Sequence, residues 1–290
     1  MKNKENLRFY VIIPAHNEEA YIAKTLDSLL LQNPLPKKII VVDDHSTDRT
    51  AAIVQEFSKN FDFVKLIQIE SSDKHLPGSK VVHAFNEGLK QLDQNFDILC
   101  KFDADLIFPK NYFKELNRAF RENPQLGMAG GFCYIEKNNQ WELENLTDKF
   151  HIRGALKAYR KACFEAIGGL KPAMGWDTLD ELLAQYHGWE INTLSQLKVK
   201  HLRPTGATYK HKDPLIFGEA LYRMRYGFFI SLLTSAKMAW LKKDRKVFFN
   251  YMKGYFSAKR NKSGFLISSE EGKWIRNYRW RNMRKKLFKI

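Results

Sequence analysis

Short apolar runs alternate with helical segments through the first hundred residues, and this alternation constrains the fold more than any other feature of the chain. The apolar runs are FYVIIPA (9–15), KIIVVDD (38–44), VKLIQI (64–69) and DILCKF (97–102). The segments between them carry apolar residues at helical spacing, over 18–32, 47–59 and 79–92. Strands that alternate with helices predict an α/β fold, with a mostly parallel sheet and helices on both faces.

Three of the predicted strands end in polar clusters, and ligands of such sheets bind beyond the carboxyl ends of the strands. The clusters are His16-Asn17-Glu18, Asp43-Asp44-His45-Ser46 and Asp103-Ala104-Asp105. Two carboxylates placed like Asp103 and Asp105 can coordinate a hard divalent cation, Mg²⁺ or Mn²⁺, that bridges to a diphosphate. An Asp-x-Asp triplet is also typical of a helix N-cap and turn. Its position among three acidic strand ends is what favours the metal.

The charge of the chain is concentrated in its last third. The whole chain has 48 Lys and Arg against 32 Asp and Glu, a net charge of +16, and residues 201–290 alone hold 22 basic and 5 acidic side chains. Such asymmetry predicts an anionic partner, either a nucleic acid or a membrane surface. The longest apolar stretch of this region is shorter than the roughly 20 residues that cross a bilayer, so we expect no span.

The cysteines and the first residues indicate the compartment. The three cysteines form no Cys-x-x-Cys pair, which argues against a disulfide framework or a zinc site and favours a reducing environment. The first apolar run is too short for a signal peptide. We therefore expect a cytoplasmic protein.

Four segments, in their order and spacing, resemble the nucleotide-sugar-binding half of family 2 glycosyltransferases with the GT-A fold. They are VIIPAHNEEAYIAKTLDSLLLQ, IIVVDDHSTDRT, GSKVVHAFNEGL and KFDADLIFP. The resemblance continues through RGALKAYRKACFEAIGGL, GWDTLDE and HLRPTGA, to about residue 206. It implies transfer of a sugar from a nucleoside diphosphate donor, with a divalent metal and inversion at the anomeric carbon.

The resemblance also assigns the donor site. Asp44 corresponds to the aspartate that accepts a hydrogen bond from the nucleotide base, typically uracil, although an N-cap role is open to it as well. Lys80 faces the phosphates or the nucleotide, and Arg160 is a candidate partner for phosphate oxygens. The implied nucleotide-sugar-binding residues are Pro14, Ala15, Asn17, Glu18, Asp44, Lys80, Asp103 and Arg160.

The metal and the base follow from the same resemblance. Asp103 and Asp105 correspond to the family's metal-binding Asp-x-Asp, and His201 is a possible third ligand. Asp180 takes the place of the catalytic base, because attack by an acceptor hydroxyl requires loss of its proton. Leu179 stands where a glutamate is common, which leaves open whether Asp177 or Glu181 shares this work.

Residues 1–210 are expected to form the catalytic domain, with 1–106 on the donor side and 107–210 on the acceptor side, followed by a helical basic region over 211–290. The predicted enzyme is an inverting, metal-dependent glycosyltransferase that acts on a lipid-linked or cell-surface glycan precursor at the inner face of the cell membrane, with a UDP-sugar favoured as donor. The alternatives are a nucleotidyltransferase of similar fold and a nucleic-acid-binding protein. The loop PAHNEEA has no glycine, which disfavours the first, and three acidic strand ends would repel a nucleic acid.

Overall fold

A computed structural model describes residues 6–71, 78–144, 151–203 and 214–288 of the chain. The first half alternates strands and helices: β1 (Phe9–Ala15), α1 (Ile22–Leu30), β2 (Lys38–Asp44), α2 (Thr50–Asn60), β3 (Val64–Ile69), α3 (Ser79–Lys90) and β4 (Ile98–Phe102). These elements lie where the apolar runs and helical spacings predict them. The predicted helix over 18–32 is shorter at both ends, because residues 18–21 form a turn in which Ile22 N–H donates to the carbonyl of Glu18.

The second half adds shorter strands and the C-terminal helices. In chain order these elements are β5 (Leu106–Ile107), α4 (Tyr112–Glu122), β6 (Leu126–Lys137), β7 (Gln140–Leu143), β8 (Leu156–Arg160), α5 (Lys161–Ala166), α6 (Trp176–Tyr186), β9 (Glu190–His201), α7 (Ile216–Arg223), α8 (Gly227–Lys242), α9 (Arg245–Arg260) and α10 (Ser269–Phe288). The predicted boundary between residues 210 and 211 lies outside the described residues and stays a prediction.

One nine-stranded sheet organises the described part of the chain, in the order β3-β2-β1-β4-β8-β6-β9-β5, with β7 paired to β6. Strands β1 to β4 pair in parallel, whereas β8 runs antiparallel to β4 and to β6. Because β6 and β9 are parallel to each other, the C-terminal end of β9 reaches the same edge as the C-terminal ends of β1, β2 and β4. That edge collects the polar clusters.

Strand burial explains the continuous apolar runs. Every residue of β4 is buried, and β1 and β2 are buried along nearly their whole length, because helices cover both faces of the sheet. Two lysines are exceptions, Lys101 on β4 and Lys157 on β8, at 2% and 0% exposure. A buried ammonium group needs hydrogen-bonding partners, and both lysines find them at the polar edge of the sheet.

Helices α7 and α8 begin the region predicted to be helical, and a turn separates them. Arg225 (φ 53°) and Gly227 (φ 75°) adopt left-handed backbone conformations between α7 and α8, which ends the first helix and turns the chain. Among the described residues, no helix is both long and apolar enough to cross a bilayer.

Helices α7 and α9 cross so closely that their backbones are in contact, and a glycine on each helix allows this approach. A Cβ atom at Gly218 would lie 1.8 Å from the carbonyl oxygen of Tyr251, and one at Gly254 would lie 2.0 Å from that of Leu215. Both distances are far shorter than any real contact of a methyl group. Because the obstructing atoms are backbone atoms, a larger residue at either position must move a whole helix.

We therefore predict that Gly254→Ala lowers the free energy of unfolding by about 1–3 kcal/mol, the usual cost of overpacking. Urea unfolding followed by circular dichroism measures this. Gly264→Ala is the matched control, because a Cβ there meets nothing within 4 Å, and we expect a change within about 0.5 kcal/mol. Equal stability of the two variants would contradict the close crossing.

Candidate active site

The loops after β1 and β2 form the first wall of the polar edge, and side chains link them to each other. Asn17 Oδ1 accepts a hydrogen bond from Thr47 N–H at 2.8 Å, and Asn17 N–H donates to Ser46 Oγ at 2.8 Å. His16 Nδ1 lies 2.6 Å from the carbonyl oxygen of Asp44. These contacts hold Asn17 in a left-handed conformation (φ 55°). The two loops form one rigid wall beside Pro14 and Ala15, the last residues of β1.

Asp44 does not cap the helix that follows β2. Its carboxylate accepts hydrogen bonds from Ser71 N–H at 3.0 Å and Ser71 Oγ at 2.7 Å, so it connects the ends of β2 and β3. Asp48 takes the capping position instead and accepts from Thr50 N–H at 2.9 Å. Asp44 therefore remains at the sheet edge, where the resemblance places the nucleotide base.

Asp103, Asp105 and His201 lie together at the C-terminal ends of β4 and β9. One ligand atom from each lies within 4.8 Å of the others. His201 Nε2 lies 3.4 Å from Asp105 Oδ1, and among the described residues that oxygen, although buried, has no hydrogen-bond partner. Burial works to lower the pKa of His201, but its carboxylate neighbours outweigh burial and raise it to about 9. The three residues predicted as metal ligands are therefore neighbours.

Two cationic side chains border this trio. Lys101 Nζ donates to Asp103 Oδ1 and to the carbonyl oxygen of Gly154. Arg203 contacts Asp105 Oδ2 at 3.2 Å and donates to Glu18 Oε1. Burial raises the pKa of Glu18 to about 7 against the opposing effect of Arg203. Glu18, one of the nucleotide-sugar-binding residues that the resemblance implies, thus lies next to the predicted metal ligands.

Asp180, the residue predicted as the base, is fully engaged inside the protein. Its Oδ1 accepts from Lys157 Nζ at 2.8 Å and from Glu181 N–H at 2.7 Å, and its Oδ2 accepts from Tyr159 Oη at 2.6 Å. Only 3% of the residue is exposed, and burial raises its pKa. Both oxygens of this carboxylate are therefore occupied, and Asp180 anchors α6 to β8. The role of Asp180 as the base stays a prediction.

Asp177, one helical turn earlier on α6, has the exposure that Asp180 lacks. A third of its side chain is exposed, and its Oδ2 lies 3.6 Å from His151 Nε2. Burial works to raise the pKa of Asp177, but His151 and Lys157 outweigh it and lower the pKa to about 2, which keeps the carboxylate ionised at neutral pH. A Cβ at Gly154 would lie 3.1 Å from the Asp177 Cβ, and Lys101 joins the Gly154 carbonyl to Asp103. Asp177 is therefore next to the metal-ligand trio.

Glu181 is engaged like Asp180. It accepts from Ile152 N–H at 2.8 Å and lies 3.0 Å from His151 Nδ1, so His151 is held between Glu181 and Asp177. Burial opposes the charge on His151, yet these two carboxylates raise its pKa to about 9. The protonated imidazole fixes the side chain of Asp177.

The two predicted basic residues of the donor site lie in different parts of the fold. Arg160 is paired with Ile98 at the start of β4, so it lies at the opposite end of that strand from Asp103. Its guanidinium donates to the carbonyl oxygens of Leu126 at 2.9 Å and Phe120 at 2.6 Å, which completes the end of α4. Lys80 lies in the first turn of α3, after Gly78, where a Cβ would meet the carbonyl oxygen of Ala173 at 2.9 Å. The phosphate-binding roles of both residues stay predictions.

Comparison with known proteins agrees with this arrangement. A family model described as glycosyl transferase family 2 matches residues 10–169, more than half of the chain and all of the first wall and the Asp-x-Asp strand. The chain belongs to glycosyltransferase family 2. The family expected from the ordered motifs is thereby confirmed.

Relatives of this family 2 chain are similar over part of their length. A probable glycosyltransferase of Bacillus subtilis, YdaM, is 40% identical over 104 residues, which cover 35% of this chain and 24% of that protein. The chain matches between 24% and 37% of the length of the first curated relatives. The likeness thus covers less than half of this chain and of each of these relatives.

Solved structures confirm the predicted GT-A fold. Staphylococcus aureus TarS in complex with UDP-GlcNAc has a TM-score of 0.58 at 20% identity, over 87% of this chain and 73% of that chain. A mannosyltransferase of Pyrobaculum calidifontis in complex with GDP-Man and Mn²⁺ has a TM-score of 0.58 at 16% identity, over 97% of this chain and 81% of that chain. The α/β architecture expected from the strand and helix alternation is therefore that of GT-A glycosyltransferases.

Proposed function

We propose that this chain transfers a sugar from a nucleoside diphosphate donor to a hydroxyl group of a glycan or lipid-linked acceptor, with inversion at the anomeric carbon. The observation that carries the proposal is the placement of two acidic centres on either side of Gly154. One is the trio of Asp103, Asp105 and His201, and the other is Asp177. Asp44 and the linked loops after β1 and β2 supply the wall for the nucleoside.

The trio suits a divalent cation. Two carboxylates and one imidazole are ligands that Mn²⁺ accepts readily and Mg²⁺ also uses. The buried Asp105 Oδ1, which has no hydrogen-bond partner among the described residues, is aimed into the trio and provides the unsatisfied ligand atom that such a site requires. When bound, the cation would neutralise the charge that develops on the leaving diphosphate.

Asp177 takes the role of general base in this proposal. Its carboxylate accepts the proton of the acceptor hydroxyl while the oxygen forms its bond to the anomeric carbon and the bond from that carbon to the diphosphate breaks. His151 contacts Oδ2 of Asp177, and the main-chain carbonyl of Asp177 accepts a hydrogen bond from Lys157. Both contacts fix the carboxylate before the acceptor arrives. We favour a UDP-sugar as donor, as in the TarS complex, for the synthesis of a polysaccharide or related glycan.

The membrane is the partner we propose for the C-terminal helices. The exposed aromatic face, as we call it, consists of large apolar side chains on α8 and α9: Phe228, Phe229, Leu233, Trp240, Leu241, Phe249 and Phe256. Phe228 and Phe256 lie 6.0 Å apart between ring centroids, so the face is continuous across both helices. Trp240 is 78% exposed and Phe229 is 67% exposed, values that are unusual for such side chains in water.

The charge around this face supports a lipid surface as its occupant. Helices α8 and α9 and their connection carry eight Lys and Arg side chains and one acidic residue, Asp244. Aromatic side chains interleaved with basic ones are typical of helices that lie in an anionic membrane interface. The three free thiols, all buried, fit a reducing compartment, and we place the protein at the inner face of the cell membrane.

We predict that Asp105→Ala removes most of the Mn²⁺-dependent affinity for the nucleoside diphosphate, because it deletes the buried ligand oxygen. Calorimetry with UDP and with GDP in parallel, each with and without Mn²⁺, measures the change and identifies the nucleotide. Asp62→Ala, an exposed carboxylate outside the site, is the control and should bind like the parent. Unchanged affinity in Asp105→Ala would contradict the metal assignment.

A second prediction separates the two carboxylates of α6. Asp177→Asn should bind the donor like the parent but transfer sugar about 10²-fold more slowly or worse, since an amide cannot accept the proton. Asp180→Asn should instead lower the free energy of unfolding, by up to about 3–5 kcal/mol, because it removes an anionic partner of buried Lys157. Steady-state kinetics and urea unfolding on both variants decide the assignment. Normal transfer by Asp177→Asn would return the base role to another carboxylate.

The third prediction concerns the exposed aromatic face. The protein should co-sediment with vesicles that contain phosphatidylglycerol, and high salt should weaken this binding. Joint replacement of Phe229, Trp240 and Phe249 by Ser should weaken it at least tenfold, since burial of each large apolar side chain is worth about 1.5–3 kcal/mol. Leu31→Ser, which changes an exposed apolar residue after α1, is the matched control. Self-association through this face, seen by light scattering without vesicle binding, would contradict the proposal.

A further inference from the structure

His201 lies between two groups of ligand atoms, and only one of them belongs to the site described above. On one side are Asp103 and Asp105. On the other side are the thiol of Cys133 and the carboxylate of Glu144, and these two groups and a ring nitrogen of His201 also lie within 4.8 Å of one another. All three of these residues are buried. The fold therefore offers a cation two places around the same imidazole.

Glu144 fixes the orientation of that imidazole. Its Oε2 lies 3.4 Å from His201 Nδ1, while His201 Nε2 lies 3.4 Å from Asp105 Oδ1 on the opposite side of the ring. When a carboxylate accepts from Nδ1–H, a metal that displaces the Nε2 proton binds the lone pair of Nε2, as in many carboxylate–histidine–metal arrangements. Glu144 directly follows β7, and its N–H donates to the carbonyl oxygen of Cys133 at 2.9 Å, so its backbone is held as well.

Arg153 supplies the positive charge on the Glu144 side. Its Nη2 lies 2.5 Å from Glu144 Oε2, and only 12% of the side chain is exposed. A metal cation coordinated by Cys133 and Glu144 would have to share this space with a guanidinium group, at a Coulomb cost that is large in a buried environment. On the other side, Arg203 contacts Oδ2 of Asp105, and Oδ1 of Asp105 faces His201.

We propose that the Arg153–Glu144 ion pair is a positioning pair, which turns His201 Nε2 toward Asp103 and Asp105 and closes the thiol-containing side to metal ions. This inference rests on the proposed metal-dependent function and adds which cation the site selects. A hard cation binds at the two aspartates, and thiophilic cations are excluded from Cys133. Neither Arg153 nor Glu144 touches the metal or the substrate in this role. Both act through His201.

Binding of Mn²⁺ alone, without nucleotide, tests the positioning role. By calorimetry, Glu144→Gln should bind Mn²⁺ at least about tenfold more weakly than the parent, the usual effect of removing an outer partner of a metal-bound histidine. Glu142→Gln, which changes an exposed glutamate on β7 two residues before Glu144, is the matched control and should bind like the parent. Parent-like Mn²⁺ affinity in Glu144→Gln, with an unchanged circular dichroism spectrum, overturns the positioning role.

Co²⁺ spectroscopy tests the closure of the thiol side. Cobalt bound to a thiolate gives a strong near-ultraviolet charge-transfer absorption, which oxygen and nitrogen ligands do not give. The parent and Arg153→Lys should show none, whereas Arg153→Met should gain this absorption and lose it again when Cys133→Ser is added. A thiolate absorption in the parent, or none in a folded Arg153→Met, overturns the closure.

The two proposals fail in different ways. If the parent binds no Mn²⁺, with or without UDP or GDP, the metal assignment of the proposed function is wrong, and this inference falls with it. A different outcome is that the parent binds Mn²⁺ and the Glu144 and Arg153 variants match it in Mn²⁺ affinity and in Co²⁺ absorption. The proposed function then stands, and the positioning pair alone is rejected.

Discussion

The buried ammonium group of Lys157 is the contact on which the geometry of the acceptor side depends. It lies on β8 with no exposed surface, and it donates to Asp180 Oδ1, to Glu181 Oε1 and to the main-chain carbonyl of Asp177. One cation therefore ties the first turn and a half of α6 to the sheet. The desolvation of Lys157 is offset only while these acceptors stay in place, so α6 cannot rotate or shift without leaving a buried charge unpaired. The position of Asp177 follows from this constraint.

Lys101 on the neighbouring strand, β4, is a second buried lysine that binds oxygen atoms of the site. It is also buried, and it holds Asp103 and the carbonyl of Gly154, while the ring of Trp176 lies 5.4 Å from Lys101 Nζ and 5.8 Å from Lys157 Nζ. The indole ring attracts both cations. Asp103 at the donor side and Asp177 at the acceptor side are thus placed by two lysines that share one aromatic ring. Trp176 is 7% exposed and has this internal role.

Much of the donor half could be predicted from the sequence, because its determinants are local. A continuous apolar run followed by a polar cluster identifies a buried strand and its end, and the parallel topology then brings Asn17, Asp44 and Asp103 to one edge. The acceptor half depends on contacts between residues far apart in the chain. Lys157 and Tyr159, about twenty residues earlier, occupy both oxygens of Asp180, and Arg160 donates to the carbonyl oxygen of Phe120 in α4. No sequence motif marks these contacts. One signal was available: a lysine inside an otherwise apolar strand, as in ILCKF and LKAYR, indicates a buried ion pair.

The C-terminal helices connect the exposed aromatic face to the same helix that carries Asp177. Met224, at the end of α7, approaches Gly175, since a Cβ there would lie 3.3 Å from the Met224 methyl carbon, and Tyr278 Oη donates to Gln185 Oε1 at 2.5 Å. Both ends of α6 therefore contact the unit formed by α7 to α10. The chain turns through Arg225 into α8, where the exposed aromatic face begins only four residues after Met224. If that face rests on a lipid surface, as we propose, Met224 and the turn at Arg225 connect that surface to the start of α6, the helix that carries Asp177.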